Sequence, residues 1–345
     1  MEFSKIGKTE IEISRIGLGT WAIGGWMWGG TDEQESINTI RTAFDHGINL
    51  IDTAPVYGFG RSEEIVGKAL AEGGLRNRTV LASKVGLDWR GSQPLRDASP
   101  RRIFKEIDAS LRRLKTDVID IYQVHWPDPA TPIEETAAAM GTLYMEGKIR
   151  AIGVSNFSPE QIDRFTKVAP IHTVQPPYNL FERGIENDVL RHCRSQGIST
   201  LVYGAICRGL LSGRMTAKTI FNGDDLRRTD PKFEPPRYSQ YLEVVERLDR
   251  FARDNYGKRV IHLALRWVLD QDGVSAALWG ARRPDQLDPI GEVMGWHLSL
   301  KEREQIIRIV DEVVTDPVGP EFMAPPSAIH WRHDAPLTRR VHANG

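Results

Sequence analysis

The chain has 345 residues, of which 40% are hydrophobic and 26% charged, and its formal net charge at pH 7 is −1. A chain so close to neutral has no overall field to attract nucleic acid or an anionic membrane surface, so neither partner is expected. No apolar run approaches the ~18 residues of a membrane span, and the N-terminus lacks the apolar centre of a signal peptide. Two cysteines, Cys193 and Cys207, are too few for a disulfide scaffold, and we expect a cytoplasmic protein, a monomer or a weak oligomer.

The N-terminal segment, residues 3–13, alternates polar and apolar side chains and predicts a short hairpin. Beyond it, short apolar runs alternate with amphipathic helical patterns, which is typical of βα units in a parallel sheet. The eight predicted strands are Arg15–Gly19, Leu50–Thr53, Val80–Lys84, Asp120–His125, Ala151–Ser155, Thr173–Gln175, Thr200–Tyr203 and Ala276–Trp279. Eight such units predict a closed (β/α)8 TIM barrel, with residues 1–345 as a single domain and the hairpin closing the barrel's bottom.

Several predicted helices have ends that can be read from the sequence. Thr31 is predicted to open the first helix, and Gly47 to end it. Ser99 followed by Pro100 predicts a capped helix start, and Ser158–Gln161 is a capping box. Behind that box, three apolar side chains are predicted to face inward: Ile162, Phe165 and Val168.

About seventy residues separate the seventh and eighth strands, more than one helix needs. The first part, Gly209–Arg237, is rich in glycine, proline and charge and predicts a long loop over the barrel top, of a kind that is usually functional. The rest predicts an extra helix around Tyr241, followed by the regular helix Ile261–Leu269. Ser299 predicts the start of an extra C-terminal helix, and residues 315–345 are predicted to be an irregular, proline-containing tail that forms a packed or mobile strap.

Polar side chains follow three neighbouring predicted strands. Asp52 ends the second strand and Tyr57 lies five residues later, while Lys84 ends the third strand and His125 the fourth. In a barrel of this kind the active site lies at these C-terminal ends. Taken alone, each residue has an ordinary explanation: a loop cap, a loop aromatic, a solvent-exposed lysine or a core histidine. Their joint placement on consecutive βα units favours a site that handles protons.

The four residue types suit one kind of chemistry. A free phenol has a pKa of about 10 and is a poor proton donor at neutral pH. The ammonium of Lys84 is predicted to lower the pKa of Tyr57, while Asp52 keeps the lysine charged and oriented. A neutral His125 alongside donates a hydrogen bond to a carbonyl oxygen and holds it against the phenol. The set therefore predicts protonation of an oxygen while a hydride arrives at its carbon.

Three other motifs are weak. Gly17–Ala22 matches a dinucleotide-binding fingerprint, but the loop-like segment Ile23–Gly30 follows it where a helix is required, so a Rossmann fold is not predicted. His330 and His333 have a spacing that suits a metal, but no third ligand is in view, so no metal is predicted. Gly209–Gly213 lacks the Lys-Ser/Thr ending of a phosphate-binding loop.

The four strand-end residues match, in order and spacing, the catalytic tetrad of the aldo-keto reductases, which the chain resembles from about Phe3 to Glu312. Gly153–Phe157 resembles that family's loop for the nicotinamide carboxamide, and Gln175–Asn179 resembles the strand end after it. Tyr203–Gly213 resembles the segment that stacks on nicotinamide and crosses the pyrophosphate, and Gly280–Gln286 resembles the segment that binds the adenosine phosphate. Residues 279–286 and 317–326 resemble a bacterial branch related to general stress proteins.

The resemblance implies an NADPH-dependent oxidoreductase that reduces aldehydes or ketones to alcohols, and runs the reverse oxidation, by hydride transfer from nicotinamide with Tyr57 as the proton donor. It also implies that Ser155, Asn156 and Gln175 hold the nicotinamide carboxamide and that Tyr203 stacks behind the ring. The full set of implied cofactor-binding residues is Thr20, Trp21, Asp52, Ser155, Asn156, Gln175, Tyr203, Gly204, Ala205, Ile206, Cys207, Arg208, Arg214, Arg227, Gly280, Ala281, Arg282 and Gln286.

The choice between NADPH and NADH rests on residues that depart from the better-known members of that family. Gly280-Ala281 stand where those members carry Lys-Ser, and Gln286 where they carry arginine. Arg282 and Arg283 are predicted to replace this phosphate clamp, because a guanidinium grips phosphate with two parallel hydrogen bonds. NADPH is therefore favoured and NADH stays possible.

The resemblance implies a small-molecule carbonyl substrate, which the sequence does not identify. Five tryptophans follow strand ends and are predicted to form an aromatic rim around Tyr57: Trp21, Trp26, Trp28, Trp89 and Trp126. Two other functions stay open. The resembled family includes nucleotide-binding regulatory subunits of channels that keep the tetrad, and a barrel lyase would use Lys84 as a Schiff base.

Overall fold

The structure, a computed structural model, describes residues 1–327. It begins with the predicted hairpin, in which β1 (Phe3–Lys5) pairs antiparallel with β2 (Glu12–Ser14). Ile6, directly after β1, and Ile13, within β2, are fully buried and pack against apolar side chains from the inside of the barrel, such as Leu50. The hairpin thus closes the bottom of the barrel, as predicted.

The remaining strands form a closed parallel barrel and one further hairpin. In chain order they are β3 (Ile16–Gly19), β4 (Leu50–Asp52), β5 (Val80–Val85), β6 (Leu87–Arg90), β7 (Gln93–Arg96), β8 (Ile119–Val124), β9 (Ile149–Ser155), β10 (Thr173–Gln175), β11 (Ser199–Val202) and β12 (Val274–Gly280). Eight of these ten strands, all except β6 and β7, pair in parallel around the barrel, and β12 closes it on β3. The predicted (β/α)8 barrel is confirmed.

Helices surround the barrel and bury one face against it. They are α1 (Glu33–Asp45), α2 (Arg61–Ala71), α3 (Pro100–Leu114), α4 (Ile133–Met145), α5 (Pro159–Thr166), α6 (Val189–Gln196), α7 (Arg237–Tyr256), α8 (Val260–Leu269) and α9 (Leu300–Asp311). The predicted caps at Ser99, Ser158 and Ser299 are present, with capping boxes at the last two. The extra helix α7 and the C-terminal helix α9 are also confirmed.

Two local predictions were wrong. The first helix is capped by Asp32, not opened by Thr31, because the Asp32 carboxylate accepts a hydrogen bond from the main-chain N–H of Glu35. Val168 is 46% exposed because α5 ends at Thr166, so this side chain lies beyond the helix face to which it was assigned.

Gly17, in the segment that matches the dinucleotide-binding fingerprint, has a packing role in the barrel. It lies within β3, and a Cβ atom at this position would come within 2.7 Å of Leu50 and 2.9 Å of Leu278, both inside the barrel. The glycine therefore makes room for barrel-filling side chains. A short turn of 3₁₀ helix, Ala22–Gly24, follows β3 where a Rossmann fold has a long helix.

The hairpin β6–β7, which was not predicted from the sequence, has a two-residue turn at Gly91-Ser92 and stands above the barrel. The C-terminal tail pairs with it: the main-chain N–H of Arg96 donates to the Pro326 oxygen at 3.0 Å, and Arg96 Nε donates to the Pro325 oxygen at 2.8 Å. The described part of the tail is therefore a packed strap across the barrel mouth.

The candidate metal pair His330 and His333 lies outside the described residues. Within residues 1–327, no group of three or more histidine, cysteine or acidic side chains is arranged to hold a metal ion. No helix in the same range is long and apolar enough to cross a membrane.

Candidate active site

A cavity of about 620 Å³ opens at the C-terminal ends of the barrel strands. Asp52, Tyr57 and His125 line it, while Lys84 is fully buried directly behind them. The structure thus brings the four predicted strand-end residues together at the place where such barrels carry their active sites.

Lys84 is the hub of this group. Its ammonium donates to Asp52 Oδ1 at 2.5 Å, to the main-chain oxygen of Thr53 at 3.0 Å and to the phenol oxygen of Tyr57 at 3.2 Å. These bonds use all three N–H groups of the ammonium. Burial lowers the pKa of Lys84, and the neighbouring Asp52 carboxylate opposes that shift. The phenol oxygen therefore accepts a hydrogen bond, and the phenol's own proton is left for a group in the cavity.

The effect on Tyr57 differs from the prediction. Burial and the charge of Asp52 raise the pKa of Tyr57 well above 10, whereas the sequence reasoning expected Lys84 to lower it. The ammonium lies 0.7 Å closer to the carboxylate, at 2.5 Å against 3.2 Å, so much of its charge is offset before it acts on the phenol. As a result Tyr57 carries its proton throughout the neutral range.

His125 faces the tyrosine from the side. The two ring centroids are 5.8 Å apart with an interplanar angle of 81°. Burial and the positive charge of Lys84 hold the pKa of His125 well below 6.5, so the imidazole is neutral at pH 7, as the sequence reasoning required. A neutral imidazole carries one N–H donor that it can aim at an oxygen in the cavity.

Asp52 has two further partners through its other oxygen. Its Oδ2 accepts hydrogen bonds from Gln175 Nε2 at 2.9 Å and from Gln123 Nε2 at 3.3 Å. Gln123 was missed by the sequence reasoning, although a signal was present. It lies two residues before His125 in a strand with alternating faces, so both side chains point to the same side of the sheet.

The residues expected to hold a carboxamide form one connected group. Tyr203 donates to Asn156 Oδ1 at 2.9 Å, and Asn156 Nδ2 donates to Ser155 Oγ and to the His125 main-chain oxygen, each at 3.0 Å. Asn156 has a φ of 62°, in the left-handed region that asparagine tolerates better than most residues. All three side chains, and Gln175, line the cavity next to Tyr57.

The far end of the cavity is lined by arginines: Arg214, Arg227, Arg282 and Arg283. Burial and the positive charges of Arg283 and Arg227 lower the pKa of Arg282, which shows that the cations act on one another. Arg282 Nη1 donates to the Trp28 and Gly30 main-chain oxygens, and within residues 1–327 its other N–H groups are left for a ligand. Such a cluster suits the phosphates of a dinucleotide. Gln286 also lines this end, but its amide oxygen caps the N–H groups of residues 282 and 283.

Three of the expected cofactor residues are placed differently. Arg208 touches the cavity wall, but its guanidinium is held by Glu182 at 3.0 Å and by Asp230 at 3.3 Å. Ala205 and Cys207 are fully buried in the hydrophobic core and do not line the cavity. The expected residues Thr20, Trp21, Gly204, Ile206, Gly280 and Ala281 do line it.

Four of the five predicted tryptophans form the rim. Trp21 stacks on Tyr57 with ring centroids 5.9 Å apart, and Trp28 meets Trp21 edge-on at 5.5 Å. Trp26 and Trp126 also line the cavity. Trp89, predicted as a fifth member, does not line it. The hairpin β6–β7 carries this ring away, onto Phe59 and the guanidinium of Arg102.

Other rim residues were missed because they come from distant parts of the chain. From the hairpin and the strap these are Leu87, Pro94, Phe322, Met323 and Pro325. The long loop after β11 closes the opposite side, where the Asp224 carboxylate accepts from the main-chain N–H groups of Met27 at 2.8 Å and Gly29 at 3.0 Å. The cavity is thus covered on both sides.

Comparison with known proteins agrees with this geometry. The model of the Aldo/keto reductase family matches residues 15–311. The aldo-keto reductase YhdN of Bacillus subtilis (strain 168) is 60% identical over 95% of this chain and 99% of its own length. The NADH-specific methylglyoxal reductase of Escherichia coli (strain K12) is 39% identical over 82% of this chain and 90% of its own.

Solved structures show the same likeness. The glycerol dehydrogenase AKR11B4 from Gluconobacter oxydans superposes with a TM-score of 0.85 at 50% identity, covering 93% of this chain and 99% of that one. The holo form of the aldo-keto reductase AKR11C1 from Bacillus halodurans gives a TM-score of 0.76 at 29% identity, covering 90% and 96%. With a barrel, a tetrad arrangement and a full-length match to these relatives, the chain belongs to the aldo/keto reductase family, whose members are oxidoreductases dependent on nicotinamide cofactors.

Proposed function

We propose that this reductase reduces small aldehydes and ketones with NADPH, with Tyr57 giving a proton to the substrate oxygen, and that it also runs the reverse oxidation. The observation that carries this is the sharing of the Lys84 ammonium between Asp52 and Tyr57. When bound, the reduced nicotinamide supplies the hydride to the carbonyl carbon. The chain's own residues place the carbonyl oxygen and deliver the proton.

Each residue of the tetrad has one task in this proposal. The neutral imidazole of His125 donates a hydrogen bond to the carbonyl oxygen and holds it beside the phenol. Tyr57 then transfers its proton to that oxygen, and Lys84 stabilises the phenolate that results. Asp52 keeps Lys84 charged in a site from which water is excluded. Ser155, Asn156 and Gln175 orient the carboxamide, and Tyr203 supports the ring from behind.

The arginine end of the cavity supports NADPH. Four guanidiniums face a space where the paired acids, Asp225 on Arg227 and Asp285 on Arg283, leave net positive charge. Arg282 in particular has N–H groups free for a phosphate among the described residues. The relative from Escherichia coli is named as NADH-specific, so the fold alone does not determine the cofactor, and we assign NADPH on these side chains.

The substrates we propose are small and rich in oxygen. Two related proteins are named for such compounds, methylglyoxal and glycerol. The indole N–H groups of Trp21 and Trp28 have no hydrogen-bond partner within residues 1–327. Because a buried donor is costly to leave unpaired, these groups suit a second oxygen on the substrate, next to the carbonyl.

The test is NADPH-absorbance turnover across a panel of aldehydes and ketones, with the wild type and Tyr57→Phe. The variant is expected to lose about 10²- to 10⁴-fold in kcat, the usual contribution of general acid catalysis, and to keep its affinity for NADPH. Retained turnover in Tyr57→Phe would remove tyrosine as the proton donor. No turnover by the wild type with any carbonyl compound would favour a regulatory, nucleotide-binding subunit.

A Schiff-base lyase has less support. Lys84 does not line the cavity, and its three N–H groups are engaged by Asp52, Thr53 and Tyr57. A Schiff-base lysine must lose its proton and reach the substrate. Borohydride trapping of a substrate adduct on Lys84 would overturn this conclusion. A cytoplasmic location remains part of the proposal and is supported by two free, buried cysteines, Cys193 and Cys207. We also propose a monomer or weak oligomer.

A further inference from the structure

Gln123 is a buried polar residue that the proposed mechanism leaves without a task. It lies in β8, pairs in register with Lys84 on one side and with Gly153 on the other, and is fully buried. Its side-chain amide lies between the carboxylate of Asp52 and the amide of Gln175. Gln123 Nε2 donates to Asp52 Oδ2 at 3.3 Å, and Gln123 Oε1 accepts from Gln175 Nε2 at 3.2 Å.

These bonds determine which way the amide of Gln175 faces. Gln175 Nε2 carries two hydrogens, and its two acceptors, Asp52 Oδ2 at 2.9 Å and Gln123 Oε1 at 3.2 Å, both lie inside the barrel. Gln175 lines the cavity and Gln123 does not. Oε1 of Gln175 accepts no hydrogen bond from any residue between 1 and 327, so it is the atom left for a ligand.

The barrel is built to admit Gln123. A Cβ atom at Gly153 would stand 2.6 Å from Gln123 Cγ and 2.3 Å from Thr173 Oγ1. Neither separation is possible between real atoms, so the missing side chain at Gly153 is what lets Gln123 extend across the interior toward Asp52. The position of the amide therefore follows from the shape of the barrel as well as from its hydrogen bonds.

We propose that Gln123 is a positioning residue that locks the amide of Gln175 with its oxygen toward the cavity. In that orientation Gln175 recognises the N–H₂ group of the cofactor's carboxamide and fixes which way round the carboxamide lies. The inference rests on the proposed role of Gln175 in holding the carboxamide. Asp52 contributes to the same lock, but it also serves Lys84, whereas Gln123 touches neither Lys84 nor Tyr57 by any hydrogen bond in residues 1–327.

The probe pair is NADP⁺ and its 3-acetylpyridine analogue, in which a methyl ketone replaces the carboxamide and the N–H₂ group is lost. Calorimetry measures both dissociation constants. The wild type is expected to bind NADP⁺ about tenfold more tightly than the analogue, the worth of one hydrogen bond. In Gln123→Met the preference is expected to fall to less than threefold, because the amide of Gln175 loses one of the two hydrogen bonds that orient it, while affinity for the analogue stays within about twofold of wild type.

Matched variants separate positioning from damage to the barrel. Ile121→Val removes a methylene from the same strand and the same inward face and is expected to keep the tenfold preference. Gln123→Leu replaces the methionine variant if that one does not fold.

Two results would overturn the inference. Equal weakening of both cofactors in Gln123→Met would show a structural role only, and an unchanged preference would show that Gln175 needs no lock. Failure of the proposed role of Gln175 looks different: the wild type itself would then bind NADP⁺ and the analogue equally.

Discussion

The strap across the barrel mouth is anchored on a buried charge cluster, and removing one carboxylate from it has a calculable effect. Glu182 Oε1 lies 2.8 Å from Lys232 Nζ and 3.0 Å from Arg208 Nη1, and all three residues are buried. Removing one partner of a buried pair costs about 3–5 kcal/mol. Asp230 stays near both cations, at 3.3 and 3.5 Å, so we expect the lower end, about 3 kcal/mol, for Glu182→Gln.

Urea denaturation measures that loss of stability. The same substitution is also expected to affect substrate binding. Phe322 of the strap lies over both cations, 5.2 Å from Arg208 and 5.5 Å from Lys232, so a disturbed cluster is expected to loosen the strap and raise KM for the carbonyl substrate. Glu134→Gln, which removes an exposed pair with Arg164, is the matched control and is expected to change neither quantity measurably. A loss below about 1 kcal/mol in Glu182→Gln would refute the anchoring argument.

The loss of stability in Glu182→Gln is expected to depend on pH. Burial works to raise the pKa of Glu182, but the charges of Arg208 and Lys232 outweigh it and hold that pKa below 4.5. A carboxyl group whose pKa is lowered by folding stabilises the folded state fully at pH values above its unfolded-state pKa. That contribution is lost as the pH falls through its folded-state pKa. The difference in the free energy of unfolding between wild type and Glu182→Gln is therefore expected to become smaller only at acid pH.

Two further predictions concern the cofactor and the histidine. Arg282→Ala is expected to weaken NADPH by about tenfold or more and NADH by much less, because a charged hydrogen bond to a phosphate is lost only for NADPH; equal losses in titrations with the two cofactors would contradict it. Since burial and Lys84 hold the pKa of His125 well below 6.5, kcat/KM for carbonyl reduction is expected to show no inflection near pH 6.5. A profile that falls as the pH drops through 6.5 would mean that the imidazole titrates there.

The tetrad was predictable from the sequence because its members lie at or shortly after the C-terminal ends of three successive barrel strands, so the pattern is local. The spacing of Gln123 from His125 indicated an inward-facing side chain, but its role depends on hydrogen bonds to Asp52 and Gln175 on other strands, which that spacing does not predict. Phe322 escaped for a similar reason, since it lies almost 200 residues after His125 and reaches the cavity through the folding back of the tail.

Trp89 and Tyr57 show two different limits of such reasoning. Trp89 follows a strand end, which favoured a place in the rim, but the two-residue turn at Gly91 folds β6 back on β7 and turns the indole toward Arg102. The glycine, with a φ of 58°, was the available signal. For Tyr57 the groups were predicted correctly and the sign of the pKa shift was not, because burial, the larger cause of the raised pKa, and the charge of Asp52 outweigh the effect of Lys84.

The raised pKa of Tyr57 bears on the direction of catalysis. Reduction needs the phenol to carry its proton, and burial and Asp52 keep it protonated well beyond neutrality. Alcohol oxidation instead needs the phenolate to receive a proton, and the same two causes make that form scarce at pH 7. The rate of oxidation at low alcohol concentration is thus expected to rise by about tenfold per pH unit through the alkaline range, while reduction stays level. Parallel profiles measured in the two directions would show that proton transfer at Tyr57 does not govern either one.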